Sequence, residues 1–451
     1  MRTFLALTFT LLLAAGSAAE ELRLATFAID ATPPLGSALC DALVQPAKRV
    51  DDPLTCRGVV ILGAEWPIVL CGLDWVGIGN SGFDNFRAAL AEAAGTTPDR
   101  VALHCTHAHD APGCDFEAEA ILKEVGLSGA AFDPKFATNR IESAAKALRE
   151  SLPKAKPVTH LSTGSAKVEQ VASNRRVLGP DGKVKWVRYS STKDPEARAQ
   201  PEGTIDPLVR VVTFWNGQEP IAVLSYYATH PQSYYGQGNV SCDFPGLARG
   251  LREKEIGGAH LMHFNGAGGN VTAGKYNDGD PANRPVLAQR LAAGMKVAYD
   301  DQKRFAIGPA DVSWRVVKVK LPAAPYLNEE KLLADIRDDK KPVRDRVIAA
   351  RRLAWLRRTQ KGHETELSCL SLGSARIVHM PGELFVEYQL AAQGMAPKRF
   401  VAMAAYGDYG MGYIGTEISY GQGGYETGPA SLVAPSVEGI LMEGMKKLLA
   451  E

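Results

Sequence analysis

Three of the nine histidines lie within six positions, in His104-Cys105-Thr106-His107-Ala108-His109-Asp110-Ala111-Pro112-Gly113. This segment follows Val101 to Cys105, which reads as a short buried strand. In extended backbone alternate side chains share a face, so His107 and His109 project to one side and can serve one site. A single histidine there would read as a hydrogen-bonded core residue. An HxH pair at a strand-to-loop edge favours metal binding or catalysis, because neutral imidazole is the commonest metal ligand.

Two other strand ends carry candidates. Tyr226-Tyr227-Ala228-Thr229-His230-Pro231 closes an apolar strand, and His230 is equally a ligand or a core histidine. His379-Met380-Pro381-Gly382-Glu383 closes another and opens a helix. Glu383 is either a carboxylate ligand or a favourable charge in a first helical turn, and the residues alone favour the latter. The stretch Asn265-Gly266-Ala267-Gly268-Gly269-Asn270-Val271-Thr272-Ala273-Gly274-Lys275-Tyr276 approaches a phosphate-binding loop, but Tyr276 stands where that motif needs Ser or Thr for magnesium. We read it as a tight loop in which Gly269 and Asn270 approach a substrate, as glycine permits.

Strand-like and helix-like runs alternate in an α/β rhythm, pointing to mixed sheets flanked by helices. Strands are expected at Gly58 to Gly63, Trp66 to Leu73, Val101 to Cys105, Leu208 to Trp215, Ile221 to Tyr227, His260 to Phe264, Val312 to Lys320, Ala375 to His379 and Phe400 to Ala405. Helices are expected at Phe83 to Ala94, Asp133 to Leu152, Phe244 to Glu255, Asn283 to Asp300, Leu384 to Gln393 and Ser436 to Leu449. Asn328 to Lys361 is dense in charge and reads as a solvated helical hairpin over the core, with substrate gating as the alternative. Lys193 to Gly203 reads as a surface loop.

The 451 residues carry 51 Lys+Arg against 50 Asp+Glu, 45% hydrophobic and 22% charged. That balance argues against nucleic acid or anionic lipid as main partner, since both draw on a basic excess. Length permits roughly three domains or one large domain with insertions. Met1-Arg2, an apolar run from Phe4 to Ala15 and Gly16-Ser17-Ala18-Ala19 have the order of a secretory signal, so residues 1–19 are expected to be removed and the protein exported. The run falls short of the about 20 residues a spanning helix needs. Seven cysteines show no CxxC spacing, and export would permit a disulfide such as Cys40 to Cys56.

Taken in order, these segments resemble the catalytic domain of neutral, non-lysosomal ceramidases, exported zinc amidases that split ceramide into sphingosine and fatty acid. The resemblance runs from Ile29-Asp30-Ala31-Thr32-Pro33-Pro34, like the family's DITPP opening, to the region around Tyr425. Thr106-His107-Ala108-His109 is similar to its THTHSGPG motif, with Asp110-Ala111-Pro112-Gly113 in place of SGPG. It implies that His107 is the first zinc ligand and that His109 lies beside the metal and contacts substrate. Thr229-His230-Pro231 resembles the second histidine segment, Pro381-Gly382-Glu383 the PGE ligand, and Gly412-Tyr413-Ile414-Gly415-Thr416-Glu417 the YxTxEEY-like stretch whose leading tyrosine binds zinc. Asn174-Arg175 resembles a pair whose arginine is needed for activity. In the GDVSPN segment the active-site serine is replaced by Thr272 and its aspartate by Asn270. No counterpart of the family's immunoglobulin-like C-terminal domain is expected.

The resemblance thus implies a catalytic domain over residues 20–451, with a charged helical insertion near 328–361. One Zn2+ per chain would be held by His107, His230, Glu383 and Tyr413, with His109, Arg175, Thr272 and Tyr413 in catalytic roles and Gly269 and Asn270 at the substrate. The substrate would be a small or lipid-like N-acyl compound, its amide attacked by zinc-activated water. Thr272 should hydrogen-bond rather than attack, since no histidine closer in sequence than His263 is there to serve as its base. The rivals are a binuclear metallohydrolase of esters or phosphoesters and a non-catalytic exported zinc-binding protein.

Overall fold

The computed structural model describes residues 21–450, so the leader read at residues 1–19 lies outside the described residues. Three mixed sheets organise the chain. In the first, Ile68–Leu73 runs antiparallel to Thr55–Leu62 and parallel to Val101–Cys105. In the second, Glu219–Tyr227 is antiparallel to Leu208–Asn216 and parallel to His260–Asn265. In the third, Ala375–His379 is antiparallel to Thr365–Leu372 and parallel to Phe400–Ala404. Each sheet thus carries one parallel pair, whose strands are almost wholly buried, as near-continuous apolar runs require.

The three sheets share an apolar centre built from Leu70, Leu224, Leu370 and their neighbours. These three leucines are fully buried, each contributing about 1.5–3 kcal/mol. Helices cover the outer faces: Ser81–Ala94 and Pro134–Ser151 on the first sheet, Asp243–Glu255 and Asn283–Asp300 on the second, Val386–Met395 and Val437–Leu449 on the third. The parallel pairs end side by side. Cys105 N bonds Tyr406 O at 2.9 Å, Ala405 N bonds Asn265 O at 2.9 Å, and Asn265 Nδ2 bonds Thr106 O at 3.3 Å. Strand ends from three sheets are therefore stitched into one rim. No helix of the described residues is long and apolar enough to cross a membrane.

Four expectations change. The charged hairpin exists, as Glu329–Arg337 and Val343–Gln360, but it is more than a solvated cover. Val347, Ala350, Leu353 and Trp355 are fully buried, and Trp355 Nε1 bonds Leu432 O at 3.0 Å, so charge on the outer face concealed an apolar inner one. Within Lys193 to Gly203 a short helix, Pro195–Ala199, forms because Asp194 caps it and Pro195 fits its first turn. Glu383 belongs to the two-residue strand Glu383–Leu384, paired with Tyr413–Ile414, and the helix starts later, at Val386. Cys40 and Cys56 do not pair: both are free, and Cys56 Sγ instead faces Cys71 Sγ at 3.5 Å.

Candidate metal centre

The carboxyl ends of parallel strands are where open α/β sheets gather ligands. After Val101–Cys105 the chain turns sharply, with His107 at φ 70 and its amide bonded to Trp75 O at 3.0 Å. The extended geometry assumed for the HxH pair thus fails at His107, yet the rings of His107 and His109 still lie 4.6 Å apart. Left-handed backbone at a bulky residue is strained, and such strain gathers at functional sites.

His107 Nδ1 meets the Val76 carbonyl at 2.5 Å, and His230 Nδ1 meets the Gly268 carbonyl at 2.7 Å. A carbonyl only accepts, so each Nδ1 carries a proton, and a neutral ring then presents its Nε2 lone pair. Glu383 Oε2 lies 3.2 Å from His107 Nε2 and 3.0 Å from His230 Nε2, every one of these side chains being at most 1% exposed. Three polar atoms converge: His230 Nε2 also has Tyr413 Oη at 3.2 Å and Arg175 Nη2 at 3.4 Å, but neither His107 Nε2 nor Glu383 Oε2 has a hydrogen-bond partner. Burying facing acceptors is costly unless a cation lies among them. Burial, with Arg175 adding to it, pushes the His230 imidazole down to about 4, so it stays neutral near pH 7. Two imidazoles and a carboxylate are a donor set that suits zinc.

His109 stands on the cavity side of this cluster. The candidate ligand atoms of His107, His109 and His230 all lie within 4.8 Å of one another, and His109 Nδ1 has no partner. Tyr413 Oη lies 3.2 Å from His230 Nε2 and accepts from Arg175 Nη2 at 2.9 Å. Arg175, 1% exposed, also donates to the Gly269 carbonyl and to Tyr425 Oη. Its Nε faces Glu426 at 3.2 Å, and the fully buried Glu426 reaches Arg176 at 3.1 Å as well. Arg175 thus has its charge compensated from behind while its fork points at the cluster.

The cluster forms the floor of a cavity of about 560 Å³, lined among others by His109, Tyr189, Tyr235, Ile348, Arg351 and Tyr425. That volume lies within the range of small-molecule sites. Ile348 and Arg351 come from the helical hairpin, which makes one cavity wall.

Three sequence candidates lie close by but are spent elsewhere. Thr272 is fully buried, donates to Tyr189 O at 2.5 Å and accepts from Gly274 N at 3.1 Å; its hydroxyl braces a turn and does not line the cavity. Asn270 clasps the start of the Val386–Met395 helix, accepting from Val386 N at 2.8 Å and donating to Glu387 Oε2 at 2.9 Å. Gly269 is a close-approach residue, since a Cβ there would meet Glu383 O at 2.3 Å. Lys275, the lysine of the apparent phosphate loop, donates to the Arg198 and Gln200 carbonyls at 2.6 Å each.

Sequence reasoning missed Tyr406, Tyr409 and Glu426. Tyr406 stacks on His107 with centroids 4.6 Å apart, and Tyr409 Oη donates to Glu383 Oε1 at 2.9 Å. Both tyrosines follow the Phe400–Ala404 strand, and its carboxyl end was the available signal. Glu426 had none beyond its place beside Tyr425.

The fold and site together define an α/β protein with a buried cluster of imidazoles and a carboxylate beside an open cavity. No protein-family model and no curated protein matches the chain. Among solved structures it is similar to neutral ceramidase from Pseudomonas aeruginosa, with TM-score 0.70 and 17% identity, over 95% of this chain and 74% of that one. A ceramidase complexed with C2 matches equally, with TM-score 0.71 and 17% identity over 95% and 75%. The chain has the neutral ceramidase fold, as the motif resemblance implied.

Proposed function

We propose that the protein is an exported zinc-dependent hydrolase that cleaves an amide bond of an N-acyl, lipid-like substrate. The observation carrying this reading is the convergence of His107 Nε2, His230 Nε2 and Glu383 Oε2, of which His107 Nε2 and Glu383 Oε2 have no hydrogen-bond partner, beneath a cavity of substrate size. The ceramidase fold supports the choice of an amide. Export rests on the leader alone.

His107, His230 and Glu383 would hold the metal, with Tyr413 as a fourth, weaker oxygen donor. Zinc there would supply a Lewis acid and activate water for attack on the amide carbonyl. Arg175 and Tyr413 would donate to the oxygen that gains charge as the carbonyl carbon becomes tetrahedral. His109, lining the cavity with an unpartnered nitrogen, would take a proton from the attacking water and pass it on to the leaving amine. The aromatic walls formed by Tyr189, Tyr235 and Tyr425 would take the acyl chain and exclude water. One metal is favoured over two, because Glu383 is the one carboxylate facing both imidazoles and its Oε1 is already turned to Tyr409.

Incubating the purified protein with ceramide and with simpler N-acyl amides, then measuring free amine, tests the reading. Amine release should vanish on chelation and return with zinc. Hydrolysis of esters or phosphoesters alone would support the binuclear rival, and zinc binding without turnover the non-catalytic one.

A further inference from the structure

Cys40, Asp41 and Ala42 have φ of 48, 53 and 62. Three successive non-glycine residues in the left-handed region are rare, because each brings its Cβ against the following carbonyl. The turn is over-determined. Cys40 N bonds Ala111 O at 2.8 Å, and Asp41 lies so close over Gly113 that a Cβ there would be 2.0 Å from Oδ1. Both anchors belong to the segment that follows His107 and His109.

What the turn presents is a carboxylate. Asp41 Oδ2 pairs with Arg351 Nη1 at 2.6 Å, their side chains 6% and 20% exposed. Arg351 comes from the inner face of the Val343–Gln360 helix, and its guanidinium carbon lies 5.0 Å from the Tyr409 ring centroid. Tyr409 in turn donates to Glu383 Oε1 at 2.9 Å. A buried ion pair is weak support for stability, since desolvating two charges offsets most of their attraction. Strain and an ion pair kept together beside a functional cluster therefore call for another role.

We propose that Asp41 and Arg351 are positioning residues for the metal centre. Acting through Tyr409, they hold Glu383 with Oε1 occupied and Oε2 turned to the two imidazoles, and so tie metal affinity to the seating of the helical hairpin. The inference rests on the metal reading above. Partners that orient a ligand typically tune metal affinity by about 10- to 100-fold.

The test is the zinc dissociation constant, measured by competition with a chromophoric chelator. The proteins are wild type, Tyr409→Phe, Arg351→Met, Asp41→Asn and the double variant Tyr409→Phe/Arg351→Met, with melting of the zinc-free proteins as the folding control. Each single variant should bind zinc about 10- to 100-fold more weakly. The double variant should bind no more weakly than Tyr409→Phe alone, because Arg351 acts through Tyr409. If Arg351→Met does not fold, Asp41→Asn, alone and combined with Tyr409→Phe, is read in its place. Affinities within about twofold of a zinc-binding wild type, or an additive double variant, would overturn the positioning role and leave the metal site standing. A wild type that binds no zinc would overturn the metal site, and this role with it.

Discussion

His104 and His107 lie three residues apart on one strand end, and both are buried. Both direct Nδ1 at a backbone carbonyl, Ala405 O at 2.8 Å for His104 and Val76 O at 2.5 Å for His107. They differ at Nε2. His104 Nε2 lies 3.0 Å from His379 Nδ1, whose proton satisfies it. His107 Nε2 meets a carboxylate oxygen and shares its space with the lone pair of His230. A proton bridges the two nitrogens of the first pair, although His379 Nε2 beyond it has no partner, whereas in the second cluster His107 Nε2 and Glu383 Oε2 face each other unpartnered and call for a cation. The difference between a structural and a ligating histidine thus lies in which atom faces the second nitrogen, not in burial or sequence spacing.

The largest expected effect separates the two clusters by activity. His230→Ala should lower turnover by at least about 10⁴-fold, since under the proposed function it would remove a ligand of the metal that activates water. His379→Ala should leave turnover within about tenfold. Amine release from an N-acyl amide checks both, and equal losses would erase the distinction.

Arg175→Met should lower turnover by about 10²–10³-fold with zinc retained, the cost of one lost donor to a developing oxyanion. Zinc lost along with activity would make Arg175 a support for Tyr413 instead. His109→Ala sharpens the ligand set. It should keep its zinc and lose about 10²-fold in turnover if His109 only moves a proton, whereas loss of zinc would make it a third imidazole ligand. The smallest effects belong to groups whose hydrogen bonds are internal. His104→Gln and Thr272→Val should each cost about 1–3 kcal/mol of stability by leaving a buried partner unsatisfied, read by denaturant unfolding, with zinc content unchanged.

The alternation of strands and helices was legible in the sequence because apolar runs such as Val101 to Cys105 and the amphipathic stretch Asn283 to Asp300 carry their own periodicity, and both coincide with observed elements. The strand His160–Lys167 was not. Its His-Leu-Ser-Thr-Gly-Ser-Ala-Lys sequence has one large apolar side chain, and smallness is required where a Cβ on Gly164 would lie 1.9 Å from Ala298 O. Burial achieved by small residues leaves no hydropathy signal.

At the site, His107 and His109 stood out because two imidazoles so close in sequence are unusual. Glu383 was an open candidate at a strand end that the resemblance decided and Tyr413 came through resemblance alone, since the two-residue strands that pair them are too short to read from a pattern. Thr272 and Asn270 show the converse. Their motif position suggested chemistry, but the fold uses their polar atoms to brace backbone. Asp41, Arg351 and Tyr409 meet only in three dimensions, Asp41 lying hundreds of positions from the other two in the chain.

The central claim is that the acceptors at His107, His230 and Glu383 are a zinc site while the neighbouring histidine pair is core. Elemental analysis of wild type, His107→Ala and His104→Ala, each purified by the same route, tests it most directly. The account predicts one zinc per chain in wild type and in His104→Ala, and under about a tenth of that in His107→Ala, because the remaining imidazole and oxygen donors hold zinc poorly. Full zinc in a folded His107→Ala, or its loss from a folded His104→Ala, would contradict the account.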